Sequence, residues 1–212
     1  MNQMLLDFPK FEDYSPESFL PLAHVQGALQ ALQNLGNGLV IYGEEGVGKT
    51  HLLKSWVSES GAFYVKASEL DDIAELDFPS LALDLDSLKH QETCFALINH
   101  CLTESKPCVV TSEMPIAQRS DLIPELKSRL LLLSQVAIEK PSESDLEILI
   151  VKWASDRQMT LSPDVIQYLL MRCARDVGVL RGILNHLDET ALAEKRAITK
   201  PLVRQVLEGE NA

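Results

Sequence analysis

The sequence is poor in positive charge, with 19 lysines and arginines against 31 acids and a formal net charge of −12. That balance argues against a chain that grips DNA through a broad electrostatic surface, because such binding depends on basic side chains displacing counterions from phosphates. A protein partner is the better expectation. No apolar run approaches the length of a membrane span, and the N-terminus lacks the basic start and apolar core of a secretory signal, so the chain reads as cytoplasmic, with no membrane partner. The four cysteines fit neither a C-x-x-C metal pattern nor a compact disulfide framework: Cys94, Cys101 and Cys108 are spaced by seven and Cys173 stands alone. The five histidines contain no H-E-x-x-H pair, which argues against a structural metal. Low-complexity tracts and internal repeats are absent as well. With 46% hydrophobic and 24% charged residues, the 212-residue chain has the composition of a folded protein with a sizeable core.

What is present is periodic. Pro9, Pro16 and Pro21 mark an extended arm that leads into a helix around residues 25–35, which Gly36-Asn37-Gly38 stops. Strand-like segments near 38–42, 62–66, 80–84, 107–111 and 134–138 then alternate with helix-like segments near 49–59, 91–104 and 121–132. The alternation predicts a parallel α/β sheet with its ligand at the carboxyl ends of the strands. After Pro141 every periodic segment is helical. Ser142-Glu143-Ser144-Asp145 resembles a capping box before Leu146, Leu149, Ile150 and Trp153. Ser162-Pro163-Asp164 opens a second helix, and Thr199 is placed to cap a last short one.

Between the first strand and its helix lies Gly43-Glu44-Glu45-Gly46-Val47-Gly48-Lys49-Thr50, a match to G-x-x-x-x-G-K-T. Its glycines allow the backbone N–H groups to wrap a phosphate, the helix start adds its positive dipole end, and Lys49 supplies a mobile cation. Thr50 is suited to hold Mg²⁺ through its hydroxyl, and His51 extends the same segment. The expected ligand is therefore a nucleoside triphosphate or diphosphate with Mg²⁺. Leu81-Ala82-Leu83-Asp84-Leu85-Asp86 is an apolar strand ending in carboxylates, where Asp84 would orient the metal and its water shell. Many ATPases of this class place a water-activating acid immediately after that aspartate, but position 85 is leucine. Asp86 can take over only from an offset or bulged strand end, which counts against hydrolysis in this subunit. Thr111, Ser112 and Glu113, at the tip of the Pro107–Glu113 strand segment, are candidates for sensing a terminal phosphate. Arg129 lies in a helix at the edge of the α/β core, placed for its planar fork to reach a neighbouring subunit's phosphates.

Taken together, Gly48-Lys49-Thr50-His51-Leu52-Leu53, Val110-Thr111-Ser112, Glu125-Leu126-Lys127-Ser128-Arg129-Leu130 and Ala197-Ile198-Thr199 with Leu202-Val203 resemble the AAA+ module of the bacterial replication initiator DnaA, over residues 17–208. DnaA continues into a basic helix-turn-helix DNA-binding domain, whereas this sequence stops at Ala212. In that respect it is similar to the Hda family, DnaA relatives without the DNA-binding domain that inactivate the initiator. Gln3-Met4-Leu5-Leu6-Asp7-Phe8 resembles the Q-L-x-L-x-F/L peptide that docks on the sliding clamp, the β subunit of DNA polymerase III, and Hda family members carry it at this location. An extended segment with an amide anchor and two apolar side chains suits a greasy pocket, and Met4 replaces the usual leucine at similar volume.

The resemblance implies an AAA+ P-loop NTPase core with a parallel sheet, followed by a small all-α lid. The expected division is an arm at 1–16, an α/β core at 17–140 and a lid at 141–212. It further implies that the cofactors are ADP or ATP with Mg²⁺, that Gly43 to His51 bind the nucleotide, that Thr50 and Asp84 serve the metal, that Glu113 occupies the first sensor position, and that Arg129 is an arginine finger acting in trans. The family's lid arginine aligns with Gly178, so Arg181, one turn later, or Arg175 would replace it. The implied role is a negative regulator of replication initiation that contacts the clamp and DnaA, reaches DNA only through the clamp, and has the option of self-association. The rival is a self-sufficient AAA+ ATPase, of the helicase-loader or initiator-derived kind, against which Leu85 and the displaced lid arginine count.

Overall fold

A computed structural model of the chain describes residues 20–70, 77–173 and 176–208. These fall into two compact units, divided between Glu139 and Lys140. In the first, a 3₁₀ turn at Ala23–Val25 leads into α1 (Gln26–Gln33), followed by β1 (Gly38–Tyr42), α2 (Lys49–Ser60), β2 (Phe63–Lys66), β3 (Leu81–Asp84), α3 (Gln91–Thr103), β4 (Cys108–Ser112), α4 (Pro124–Leu130) and β5 (Ser134–Ala137). The strands form one parallel sheet in the order β2-β3-β4-β1-β5. β1 is therefore interior, and the loop that leaves its carboxyl end faces the crevice where ligands of open α/β sheets bind.

Both faces of the sheet are covered, which is why the central strands read as continuous apolar runs. Alternate residues enter opposite cores. Val40, Leu81, Leu83, Cys108 and Val110 pack with Leu97, Ile98, Leu126 and Leu130 of α3 and α4. Leu39, Ile41, Ala82 and Val109 pack with Ala28, Leu52 and Leu53 of α1 and α2. This parity decides where polar residues at the strand tips point. Asp84 and Thr111 continue the rows of Ala82 and Val109 toward α2, while Leu85 and Ser112 continue the rows that face α3 and α4.

α4 is shorter than the expected 121–132 segment. Pro124, whose missing N–H costs nothing in the first turn, starts it, and Asp121 and Ile123 are engaged outside the helix by Arg119 and Gln91.

The second unit contains α5 (Glu143–Asp156), α6 (Pro163–Arg172), α7 (Val177–Glu194) and α8 (Lys200–Glu208), with no strand among its described residues. The capping box before α5 forms as read: Ser142 Oγ accepts from Asp145 N at 3.1 Å, and Asp145 Oδ2 accepts from Ser142 N at 3.0 Å. Leu146, Leu149, Ile150 and Trp153 form the buried side of α5. Asp176 caps α7 by accepting from Val179 N at 2.9 Å. No helix among the described residues is long and apolar enough to cross a membrane.

Candidate functional site

The glycine-rich loop joins β1 to α2. Gly46 and Gly48 have φ of 77° and 101°, and at Gly48 the dihedral alone selects glycine, because an added Cβ would meet nothing within 4 Å. At Gly43 the constraint is contact. A Cβ there would sit 2.4 Å from Ile138 O, and the Gly43 N–H donates to Ser112 O at 3.1 Å. The loop thus begins pinned between the ends of β4 and β5. Val47 anchors its middle in the α2-side core, while Glu44 and Glu45 are exposed. Lys49 Nζ donates to the carbonyls of Gly43 and Glu44, each at 2.7 Å, so the ammonium crosses the loop. His51, in the first turn of α2, is half-buried.

Asp84 is the hub of the site and is only 5% exposed. It accepts from Thr50 Oγ1 at 2.8 Å, from Thr111 Oγ1 at 2.5 Å and from Tyr64 OH at 3.4 Å. Three elements therefore deliver hydroxyls to one carboxylate: α2, β4 and β2. A hard cation prefers such oxygen donors, and the Thr50 and Asp84 pair meets that chemistry. Among the described residues no cluster of three histidines, cysteines or acids offers an alternative metal site.

The two positions after Asp84 do different work. Leu85, 3% exposed, belongs to the α3/α4-side core. Asp86 turns to the segment after β2, where its two oxygens accept from Ser68 N at 3.0 Å and Ser68 Oγ at 2.6 Å, with Lys66 Nζ at 3.7 Å. Its carboxylate is engaged by the segment at the β2 end.

At the β4 tip the three sequence candidates separate. Thr111 bonds Asp84, Ser112 lies on the opposite face, and Glu113 is exposed one residue beyond the strand. Arg129 is half-buried on α4, and its Nε is shielded from solvent with no hydrogen-bond partner among the described residues. In the helical unit, the Arg181 guanidinium lies over the Trp153 ring, 5.7 Å from its centroid, and Gly178 is exposed one turn earlier on α7. Residues 3–8 and Arg175 lie outside the described residues.

Two participants escaped the sequence reading. Tyr64 looks like an ordinary β-strand aromatic until parallel pairing sets β2 beside β3. Arg119, 6% exposed, forms a fork to Asp121, with Nε to Oδ1 at 2.7 Å and Nη2 to Oδ2 at 2.8 Å, while its Nη1 donates to Ser112 Oγ at 3.3 Å. That pairing holds the Asp121 carboxyl below the usual carboxylate range. Its local signal was only an arginine two residues before an aspartate.

Comparison with known proteins gives a consistent picture. Residues 143–207 match the family described as "Hda, lid domain". The chain is 26% identical over 204 residues to the chromosomal replication initiator protein DnaA of Acholeplasma laidlawii, a match covering 82% of this chain and 46% of that protein. It thus spans about half the length of that relative. Among solved structures, domain III of the Thermotoga maritima replication initiation protein DnaA superimposes with a TM-score of 0.80 at 20% identity, over 95% of this chain and 98% of that one. AMPPCP-bound DnaA from Aquifex aeolicus gives a TM-score of 0.72 at 22% identity, over 87% of this chain and 68% of that one. The five-stranded sheet with its helical lid is the AAA+ fold of these proteins.

Proposed function

For a DnaA-like AAA+ protein with an Hda-type lid, which this chain is, we propose a regulatory role in replication initiation, exercised on a partner's nucleotide. The chain binds ADP or ATP with Mg²⁺, docks on the DNA-loaded sliding clamp through Gln3 to Phe8, and uses Arg129 to promote hydrolysis of ATP held by DnaA. DNA is contacted only through the clamp.

The observation that carries this reading is the combination at the β3 end: Asp84 is held between Thr50 and Thr111, while Leu85 is packed into the core and Asp86 is bonded to Ser68. Such a site suits retention of a nucleotide, and among the described residues neither Leu85 nor Asp86 is set to activate water for self-hydrolysis. The loop backbone from Gly43 to Gly48 would hold the phosphates, Lys49 would exchange its two carbonyl partners for phosphate oxygens, and Thr50 and Asp84 would hold the metal side. Bound Mg²⁺ would supply the positive charge that offsets neighbouring phosphate oxygens. Glu113 and Arg181 take the two sensor positions. Catalytic assistance then passes to the partner, through an arginine whose Nε lacks an acceptor within the described residues. A buried guanidinium N–H left unpaired is unfavourable, and turning the side chain outward to a phosphate or partner carbonyl would satisfy it.

The test is hydrolysis of DnaA-bound ATP on clamp-loaded DNA, with the wild-type chain and Arg129→Ala. The variant should bind ADP and clamp normally and lose about a thousandfold or more of the stimulated rate, as arginine fingers do. Arg129→Lys should rescue poorly, because an ammonium cannot contact two phosphate oxygens as a planar fork does. Stimulation by the alanine variant at the wild-type rate would end the proposal.

A further inference from the structure

The segment between β4 and α4 is braced from several directions, and the brace runs between the phosphate loop and the helix that carries Arg129. At one end, Ser112 O accepts from the first residue of the loop, Gly43, at 3.1 Å. Ser112 Oγ accepts from Arg119 Nη1 at 3.3 Å and donates to Met114 O at 2.8 Å. The rest of the Arg119 fork closes on Asp121. At the other end, Lys127 Nζ of α4 donates to Arg119 O at 2.7 Å and to Ala117 O at 3.0 Å. Gln91, at the start of α3, accepts from Ile123 N at 2.8 Å and donates to Asp121 O at 3.2 Å.

The rotation of α4 about its axis is fixed by the same set of contacts. Leu126 and Leu130 bury one side completely, and Lys127 ties a neighbouring side to the braced segment. Arg129 is two residues from Lys127 and so projects from a different side. A guanidinium buried to 6% exposure, using all three nitrogens on local acceptors, is an expensive way to hold a surface turn together. It makes sense where the turn must keep a fixed geometry.

We propose that Arg119 is a positioning residue for Arg129: its fork locks the β4 tip to the 113–123 segment, and Lys127 passes that lock to α4, so that the arginine is presented in one orientation. The inference rests on the regulatory reading above for the consequence in trans, and on geometry alone for the lock. The Arg119 nitrogens are occupied by Asp121 and Ser112, so its effect passes through the helix that bears the finger.

The experiment compares wild type, Arg119→Gln and Arg119→Lys in three measurements: ADP affinity, the dependence of stimulated DnaA ATPase on the concentration of added chain, and amide hydrogen exchange. A partly unfolded variant merely needs more protein to reach the same plateau. A mispositioned arginine lowers the plateau itself, by about tenfold or more, because displacing a catalytic group by about 1 Å can cost as much as a hundredfold. Arg119→Gln is expected to lower the plateau with ADP affinity within about twofold of wild type, and to quicken exchange in 113–130. Arg119→Lys keeps the charge without the fork and should give an intermediate plateau; it also serves if the glutamine variant does not fold. In an Arg129→Ala background, Arg119→Gln should change the residual rate no further. An unchanged plateau, or independent effects of the two substitutions, would overturn the proposal. If the wild-type chain gave no stimulation, the regulatory reading would fall, and exchange would still decide the lock: unaltered exchange at 124–130 in both variants would refute it.

Discussion

Asp84 offers a perturbation whose structural and functional effects can be read separately. Replacing it with alanine removes the acceptor for Thr111 Oγ1, Thr50 Oγ1 and Tyr64 OH at once. Thr111 is only 1% exposed, so its hydroxyl cannot turn to bulk water, and an orphaned buried donor costs about 1–3 kcal/mol. Thr50 is half-buried and Tyr64 is at the long end of hydrogen bonding, so each adds less. We expect a total near 3 kcal/mol for Asp84→Ala, or a fall in melting temperature of about 6–12 °C for a chain of this length. Asparagine retains the volume and one carbonyl acceptor, and the second hydroxyl can rotate to accept from the amide. Asp84→Asn should therefore cost about 1 kcal/mol, or about 2–4 °C. The same conservative change removes the carboxylate from the metal side. Calorimetry of ADP binding with and without Mg²⁺ should show the magnesium-dependent gain reduced by about tenfold or more in Asp84→Asn. Equal melting temperatures for the two variants would refute the acceptor argument, and an undiminished magnesium effect in the asparagine variant would refute the metal-side assignment.

Three further outcomes are expected. Lys49→Ala should abolish ADP binding or weaken it severely in calorimetry while the chain stays folded, since the loop loses the cation aimed at the phosphates; unchanged affinity would remove the phosphate-loop assignment. Alanine at Gln3, Leu6 and Phe8 together should eliminate capture by the sliding clamp with ADP affinity intact, and a retained clamp complex would shift the contact elsewhere on the chain. Burial pushes the Cys94 thiol up to about 11 and the Cys173 thiol up to about 12, from an ordinary value of 9.0. Above pH 9 the unfolded chain gives up these protons first, so stability should fall as pH rises from 9 toward 11 and 12. Urea midpoints across that range should fall less steeply for Cys94→Ala than for wild type, and identical slopes would count against a buried neutral thiol.

How far the sequence could be read depended on whether a feature was local. The glycine-rich loop after β1 is written in consecutive residues whose φ angles and close approaches demand glycine, so its place in the fold was legible from spacing. The central strands were equally plain, since β1, β3 and β4 are buried on both faces and need uninterrupted apolar runs. Asp84 was recognisable as a carboxylate at a strand tip. Tyr64 was not, because its contact depends on β2 lying next to β3, a choice made by the tertiary fold. Arg119 was hidden for a related reason: its partners are a strand-tip hydroxyl and a turn aspartate, and ordinary turn chemistry explains an arginine there until its burial is known. The shortened α4 reflects the same competition, since residues that could have lengthened it form the turn.

The burial of Leu85 also bears on what a substitution at that position could achieve. An acid in place of a surface leucine beside Asp84 would be accommodated at little cost. Here the side chain has been absorbed into the packing between the sheet and α3/α4. A carboxylate introduced at 85 would enter an apolar interior, where an unpaired charge costs several kcal/mol. A water-activating acid at 85 would therefore need the surrounding core to be rebuilt around it, so a single substitution there is expected to unsettle the packing before it alters the site.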